Sequence, residues 1–246
     1  MHRFFTTPEN IKDGIAVLSG TDVSHLRNVL RLKKEDRVKI LDGSGKCYIV
    51  TLISVKRDIV KARIESIEEV GNCESTLEIY LGQCLVKGNG FDSIVRRAVE
   101  LGVGRITPIC GTRCVAKLSE QDSIKKITRW QRISREAVKQ CGRSRIPTIG
   151  PKPISVEEFC YANRDSELRL IFWEEERLNL LNNFTNQKNV KSAAVLIGPE
   201  GGFSSNEIDS AQKYGFTSIS LGPRMLRTDT APIAVLAILQ NYWGDL

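Results

Sequence analysis

The feature that most constrains the fold is a change of pattern near residue 76. From residue 77 onward, short apolar runs alternate with amphipathic segments of helical period. The apolar runs lie near 77–83, 105–109, 168–172, 193–198 and 217–221, and the helical segments near 91–102, 119–141, 155–162, 204–214 and 229–243. This alternation predicts an α/β domain on a mainly parallel sheet.

The first 70 residues have a different pattern. Between Arg37 and Ile67, β-branched runs are interrupted by Asp42-Gly43 and by Lys56-Arg57-Asp58, which indicates hairpins. Helical spacing from 22 to 32 predicts one helix, with Thr21 or Asp22 as its N-cap. We therefore expect a small β-barrel over 1–70, a linker over 71–76, where periodicity is lost, and the α/β domain over 77–246.

Composition restricts the protein class. Of 246 residues, 41% are apolar and 26% charged, which excludes a disordered chain. The seven cysteines include no C-x-x-C pair and the chain has only two histidines, so we expect no metal site. No signal-peptide core is present, and the longest apolar run, 233–239, is far shorter than the roughly 20 residues of a membrane span. We expect a cytoplasmic protein that does not bind a membrane.

Positive charge is concentrated between residues 113 and 145. Three acidic residues lie there, so the segment carries the whole net charge of +7. Its ten basic residues are Arg113, Lys117, Lys125, Lys126, Arg129, Arg132, Arg135, Lys139, Arg143 and Arg145. On the helix over 119–141, the predicted buried stripe is Ile124, Ile127, Trp130, Ile133, Ala137, Val138 and Cys141. The basic outer face favours nucleic-acid binding over an ordinary solvated surface.

The last helix, over 229–243, is apolar on more than one side. Its apolar residues include Ile233, Val235, Leu236, Ile238, Leu239, Tyr242 and Trp243. Such a helix needs cover on both sides, from its own sheet and from a second subunit, or is fully buried within one chain.

Two loops follow successive strands and are candidates for chemistry. The first contains Pro199-Glu200-Gly201-Gly202-Phe203 and leads into a capping box, Ser204-x-x-Glu207. The second runs from Pro223 to Ala231, with Thr228 or Asp229 as the predicted N-cap of the last helix. Ligands bind at this edge of open α/β sheets, so the pair predicts a pocket, although a glycine loop alone can be only a tight turn. Motifs of serine hydrolases, zincins and P-loop NTPases are missing from the sequence.

These two loops carry a resemblance to a known family. LIGPEGGFSSNE at 196–207 and LGPRMLRTDTA at 221–231 resemble the paired signature of SPOUT RNA methyltransferases, specifically the ribosomal RNA small subunit methyltransferase E family. MHRFF at 1–5, LDGSGKCY at 41–48 and RWQRISREAVKQCGR at 129–143 extend the likeness. The resemblance implies a PUA-like N-terminal β-barrel, a SPOUT α/β domain with a trefoil knot, and a homodimer.

The resemblance also implies an activity and its residues. The family methylates N3 of a uridine in 16S ribosomal RNA with S-adenosylmethionine, without a metal. Arg227 would stabilise charge on the uracil oxygens, and Glu200 or Asp229 would accept the N3 proton. The expected cofactor-binding residues are Leu196, Gly198, Pro199, Gly201, Leu221, Gly222, Leu226 and Ala231. The expected RNA-binding residues are Arg113, Lys125, Lys126, Arg129, Arg132, Arg135 and Arg143.

Two departures and two alternatives accompany this hypothesis. The family usually has Glu where this chain has Asp229, and Gln-Lys where it has Arg96-Arg97. One alternative is a non-catalytic RNA-binding protein with a degenerate methyltransferase domain. The other is a SPOUT enzyme that methylates the ribose 2′-hydroxyl.

Overall fold

The computed structural model describes residues 1–69, 73–115, 118–181 and 189–246. Lys117 and the first two residues of the expected linker, 71–72, lie outside the described residues. The chain divides into a first unit, Met1–Glu74 with Val138–Ile146, and a second unit, Ser75–Ala137 with Pro147–Leu246. Residues 138–146, which we assigned to the α/β domain, therefore pack within the first unit.

The first unit is built on six strands: β1 (Arg3–Phe5), β2 (Ile11–Lys12), β3 (Ile15–Ser19), β4 (Arg37–Leu41), β5 (Lys46–Val55) and β6 (Ile59–Glu69). They form a sheet of order β1-β4-β5-β6-β3-β2, in which only the β1–β4 pair is parallel. Alternate residues of these strands, such as Val38 and Ile40 or Val50 and Leu52, are fully buried. Their apolar side chains make the core of the unit.

The expected helix over 22–32 is shorter than predicted. Helix α1 covers Thr21–Ser24, with Gly20 as its N-cap, and a π-helical turn follows over His25–Val29. The Asp22 carboxylate is not a cap. It accepts hydrogen bonds from the Phe5 backbone N–H (2.9 Å) and from the Lys139 ammonium group (2.5 Å). The capping prediction was wrong because a partner 117 residues away uses this acid.

The second unit confirms the predicted parallel sheet. Its strands are β7 (Glu78–Cys84), β8 (Arg105–Ile109), β9 (Thr148–Ile149), β10 (Leu168–Phe172), β11 (Ser192–Ile197) and β12 (Thr217–Ile219). All neighbours in the order β12-β10-β11-β7-β8-β9 are parallel. Its helices are α2 (Gly90–Glu100), α3 (Glu120–Cys141, whose last turn counts with the first unit), α4 (Val156–Ala162), α5 (Ser205–Lys213) and α6 (Ala231–Trp243). The trefoil knot stays a prediction.

Helix α3 buries a slightly different stripe from the one expected. Ile127, Trp130, Ala137 and Val138 are buried as predicted, but Ile124 is 60% exposed. Small polar side chains, Ser123 and Ser134, complete the buried stripe at helical spacing. The error arose because only apolar residues were used to place the face. Trp130 stacks on Phe91 of α2 with ring centroids 4.1 Å apart.

Helix α6 has one buried and one half-exposed apolar side. Val235, Leu236 and Leu239 are fully buried. Its half-exposed residues are those at 233, 234, 237 and 238. Their i, i+1, i+4 and i+5 spacing places them on one side of the helix. The buried Gln240 accepts a hydrogen bond from Ser75 and donates one to the Leu101 carbonyl. No helix of the described residues combines the length and apolarity that crossing a membrane requires.

Candidate active site

A cavity of about 670 Å³ lies at the carboxyl ends of four neighbouring strands of the second unit, β12, β10, β11 and β7. Its volume is that of a pocket for a drug-sized ligand. The location is the edge at which open parallel sheets bind ligands. Its lining comes mainly from the segment after β10, the glycine loop after β11 (residues 198–202) and the arginine loop after β12 (residues 221–230).

The glycine loop turns sharply between β11 and α5. The Gly202 N–H donates to the Pro199 carbonyl (3.0 Å), and Gly202 has φ +69°, in the left-handed region that favours glycine. At Gly198, a Cβ would lie 3.3 Å from the ring of the fully buried Phe203. The glycine loop therefore packs closely against the Phe203 ring, and its backbone can approach a ligand in the cavity.

Two contacts fix the glycine loop and the start of α5 to the segment after β8. Ser204 caps α5, and Glu207 completes the predicted capping box by accepting from Ser204 N–H (2.9 Å). The other Glu207 carboxylate oxygen accepts from the Thr112 N–H (2.8 Å). The Arg113 guanidinium donates to the Gly201 carbonyl (3.1 Å). Arg113, expected to contact RNA, therefore supports the glycine loop.

The arginine loop ends in a turn that begins α6. The Arg227 carbonyl accepts from the N–H groups of Thr230 (2.8 Å) and Ala231 (2.9 Å), which fixes the Arg227 backbone. The N-cap is Thr230, so the expected cap at Thr228 or Asp229 was wrong. The Arg227 side chain is 89% exposed and lies 4.0 Å from an Asp229 carboxylate oxygen. A cation held this weakly is available to a ligand.

The segment after β10 is anchored to β12 by one acid. The Glu176 carboxylate accepts hydrogen bonds from the Ser218 hydroxyl (2.5 Å) and from the backbone N–H groups of Arg177, Leu178 and Asn179. These bonds, that from Ser218 foremost, lower the pKa of Glu176 to about 2. The Arg177 side chain also donates to the Glu174 carbonyl (2.7 Å). The backbone at Glu174 is therefore held in place.

Most of the predicted site residues line the cavity together. These are Gly198, Pro199, Glu200, Gly201, Leu221, Gly222, Leu226, Arg227, Asp229 and Ala231. Leu196 does not line it, because its side chain points into the core, where it packs near Phe159. The Glu200 carboxylate accepts from the Lys87 N–H (3.2 Å), and the cap of α5 is Ser204.

The segment after β10 forms a wall of the cavity that was not predicted from the sequence. Phe172, Trp173, Glu174 and Arg177 all line the cavity. The signal was present, because the carboxyl ends of parallel strands lie at one edge of the sheet. Three consecutive acids, Glu174 to Glu176, follow a predicted strand next to the two loops and could have been included.

The predicted RNA-binding residues occupy different environments. Lys125, Arg132 and Arg135 are exposed and Lys126 is half-buried. Arg129 forms an ion pair with Asp92 (2.5 Å). Arg143, which was expected to contact RNA, is not on the surface: its side chain is 7% exposed and pairs with Glu74 (2.9 Å) inside the first unit.

Known families of RNA methyltransferases are similar to this chain. Residues 73–240 match the model of an RNA methyltransferase domain, and residues 18–65 match that of an RNA methyltransferase PUA domain. Ribosomal RNA small subunit methyltransferase E of Buchnera aphidicola is 32% identical over 93% of this chain and 88% of that protein. The chain belongs to the ribosomal RNA small subunit methyltransferase E family.

Solved structures extend the family likeness. A crystal structure of the Neisseria gonorrhoeae methyltransferase E bound to S-adenosylmethionine has a TM-score of 0.88 and 32% identity, covering 100% of this chain and 99% of that one. A methyltransferase of Legionella pneumophila, also in complex with the cofactor, has a TM-score of 0.90 and 34% identity, covering 99% of this chain and 98% of that one. The likeness covers both units of this family member.

Proposed function

We propose that the protein methylates N3 of a uridine in 16S ribosomal RNA of the small ribosomal subunit, with S-adenosylmethionine as methyl donor. One observation carries the proposal: a single cavity at the sheet edge is lined by both the glycine loop and the arginine loop, with Arg227 exposed beside it. The family membership supplies the substrate class.

The cavity residues fit this cofactor. Phe172, Ile197, Ile219 and Leu226 supply apolar surface suited to an adenine ring. The glycine loop exposes backbone groups that can approach the ligand closely. When bound, S-adenosylmethionine supplies a methyl group activated by a positively charged sulfur. Among the described residues, no group of three or more His, Cys, Asp or Glu side chains could hold a metal ion.

The role we assign to Arg227 follows from the chemistry of uracil. N3 carries a proton and becomes a nucleophile as that proton leaves, while negative charge grows on the flanking carbonyl oxygens. A guanidinium beside those oxygens stabilises the anion more than the neutral base. Glu200 and Asp229 remain our two proposed proton acceptors. The target base must be unpaired or flipped out, since N3 is hidden within a base pair.

RNA binding and assembly are further parts of the proposal. Lys125, Arg132 and Arg135 provide the exposed charge on α3 that a phosphate backbone needs. The half-exposed apolar side of α6 is proposed to face a second copy of the chain in a homodimer. Sedimentation of the wild type tests the dimer, and a monomer at micromolar concentration would refute it. Because ribosomal RNA is the proposed substrate, we place the protein in the cytoplasm.

The activity is tested by mass spectrometry of small-subunit ribosomal RNA nucleosides from cells with and without the gene. Loss of 3-methyluridine supports the proposal, and loss of a 2′-O-methyl nucleoside would favour the ribose alternative. No change would favour the non-catalytic protein.

The chemical role of Arg227 has its own test. Arg227→Ala should lower the single-turnover rate by roughly 100-fold, on the scale of one lost charge-stabilising donor. Cofactor affinity should stay constant, and higher pH should partly restore the rate because more uracil is ionised. A variant that regains the full rate at saturating RNA would instead make Arg227 a phosphate contact.

A further inference from the structure

The Glu174 carboxylate packs directly on the backbone of the glycine loop. A Cβ placed on Gly202 would lie 1.5 Å from one Glu174 carboxylate oxygen and 2.6 Å from the other. Only a glycine leaves room for an acid so close to the main chain. Glu174 is half-buried and lines the cavity, so this charge is held at the wall of the cofactor pocket.

Among the described residues, Glu174 differs from the other acids of the cavity in that nothing bonds to its carboxylate. Glu200 accepts from the Lys87 N–H, and Asp229 lies beside Arg227. Within the described part of the chain, the Glu174 carboxylate has no hydrogen bond or ion pair, and only its backbone carbonyl is bonded, to Arg177. A ligand that brings a positive charge to this wall of the cavity would give the carboxylate a complementary partner.

We propose that Glu174 binds a cationic group of the methyl donor, a role that rests on the proposed function. S-adenosylmethionine carries two such groups, the sulfonium and the ammonium of its methionine part. A fixed carboxylate complements either one, and the anchored backbone at Glu174 keeps the side chain oriented before the ligand arrives.

Charge complementarity favours the cofactor as the partner of Glu174. A carboxylate that stays ionised beside uracil would oppose the negative charge that forms as N3 loses its proton, unlike an acid that accepts this proton and becomes neutral. The same carboxylate next to a cation lowers the energy of the bound donor. Glu174 is therefore assigned to the cofactor and Arg227 to the base.

Calorimetry with three ligands tests the assignment. S-adenosylmethionine has both cations, S-adenosylhomocysteine keeps only the ammonium, and methylthioadenosine has neither. Glu174→Gln preserves the size of the side chain and removes its charge. It should weaken S-adenosylmethionine binding by roughly 10- to 100-fold, the range for a hydrogen bond to a charged group. The control is Glu175→Gln, since Glu175 is the neighbouring acid in the chain.

Each pattern of losses has a definite meaning. If Glu174→Gln weakens the binding of S-adenosylmethionine but not of S-adenosylhomocysteine or methylthioadenosine, Glu174 lies at the sulfonium. If it weakens the binding of S-adenosylmethionine and S-adenosylhomocysteine but not of methylthioadenosine, Glu174 lies at the ammonium. Equal weakening of all three would make Glu174 a structural support of the glycine loop, and no weakening would remove it from the site; either result overturns the assignment. A wild type that binds none of the ligands would refute the proposed function itself.

Discussion

Gly202→Ala gives the sharpest test of how the glycine loop works. The added methyl group would occupy the position now taken by the Glu174 carboxylate, 1.5 Å from its nearer oxygen. Gly202 also has φ +69°, so alanine must adopt a left-handed conformation. The substitution therefore combines two effects, strain in the backbone and displacement of an acid.

The two effects differ in size and in what they change. Left-handed strain for a residue with a Cβ costs about 1–2 kcal/mol of unfolding free energy. The carboxylate is the end of a flexible side chain and can rotate away, so the clash adds little to that cost. Displacement of the Glu174 carboxylate from the cavity should weaken S-adenosylmethionine binding roughly 10- to 100-fold, as in the Glu174→Gln variant.

Gly14→Ala is the matched control. Gly14 has φ +73°, and nothing lies within 4 Å of the position that a Cβ would take there, so the same strain arises without a clash. Urea unfolding should give similar losses of stability for both variants, and calorimetry should detect weaker cofactor binding only for Gly202→Ala. In the double variant Gly202→Ala/Glu174→Gln, the binding losses should not add, because both changes remove one contact. Additive losses would refute the reasoning.

Three further predictions concern stability and RNA. Glu74→Ala removes the carboxylate that pairs with the buried Arg143 side chain and should lower the unfolding free energy by about 3–5 kcal/mol. Lys34→Ala, at an exposed ion pair, should change the unfolding free energy by less than about 0.5 kcal/mol, and equal effects in urea unfolding would contradict this. Because the pKa of Glu176 is lowered to about 2, its charge stabilises the fold fully above the ordinary pKa near 4.5, and this stabilisation is lost as the pH falls towards 2. The difference in unfolding free energy between the wild type and Glu176→Gln should therefore shrink over that pH range, and a constant difference would contradict the prediction. Replacing Arg132 and Arg135 with Gln should reduce the log–log salt slope of RNA binding by roughly 0.7 to 0.9 per lost phosphate contact, and an unchanged slope would return this face of α3 to ordinary solvated surface.

The sequence predicted correctly the features that depend on residues close together in the chain. The parallel strands follow from short β-branched runs, and the capping box at Ser204 and Glu207 is formed by residues three apart. The two cavity loops were found because parallel strands end at one edge. These features need no knowledge of distant contacts.

Long-range ion pairs account for two of the errors. Asp22 resembles a helix cap and Arg143 resembles surface charge, yet each is buried with a partner far away in the sequence, Lys139 and Glu74. A pattern of single residues carries no information on such pairing. Two of the ten basic residues between 113 and 145, Lys139 and Arg143, are therefore structural charges.

On the proposed mechanism, one cavity must stabilise both the cationic methyl donor and the uracil anion. Different loops contact the two charges. Glu174 lies against the glycine loop, while Arg227 lies on the arginine loop beside Asp229 at 4.0 Å. An exposed ion pair at that distance is worth at most about 1 kcal/mol, so a uracil oxygen gaining charge can compete for the guanidinium. Asp229 then balances the positive charge of Arg227 before RNA binds, and it does not prevent Arg227 from contacting the uracil oxygen. The shorter Asp, where the family usually has Glu, fits this role as well as it fits proton transfer.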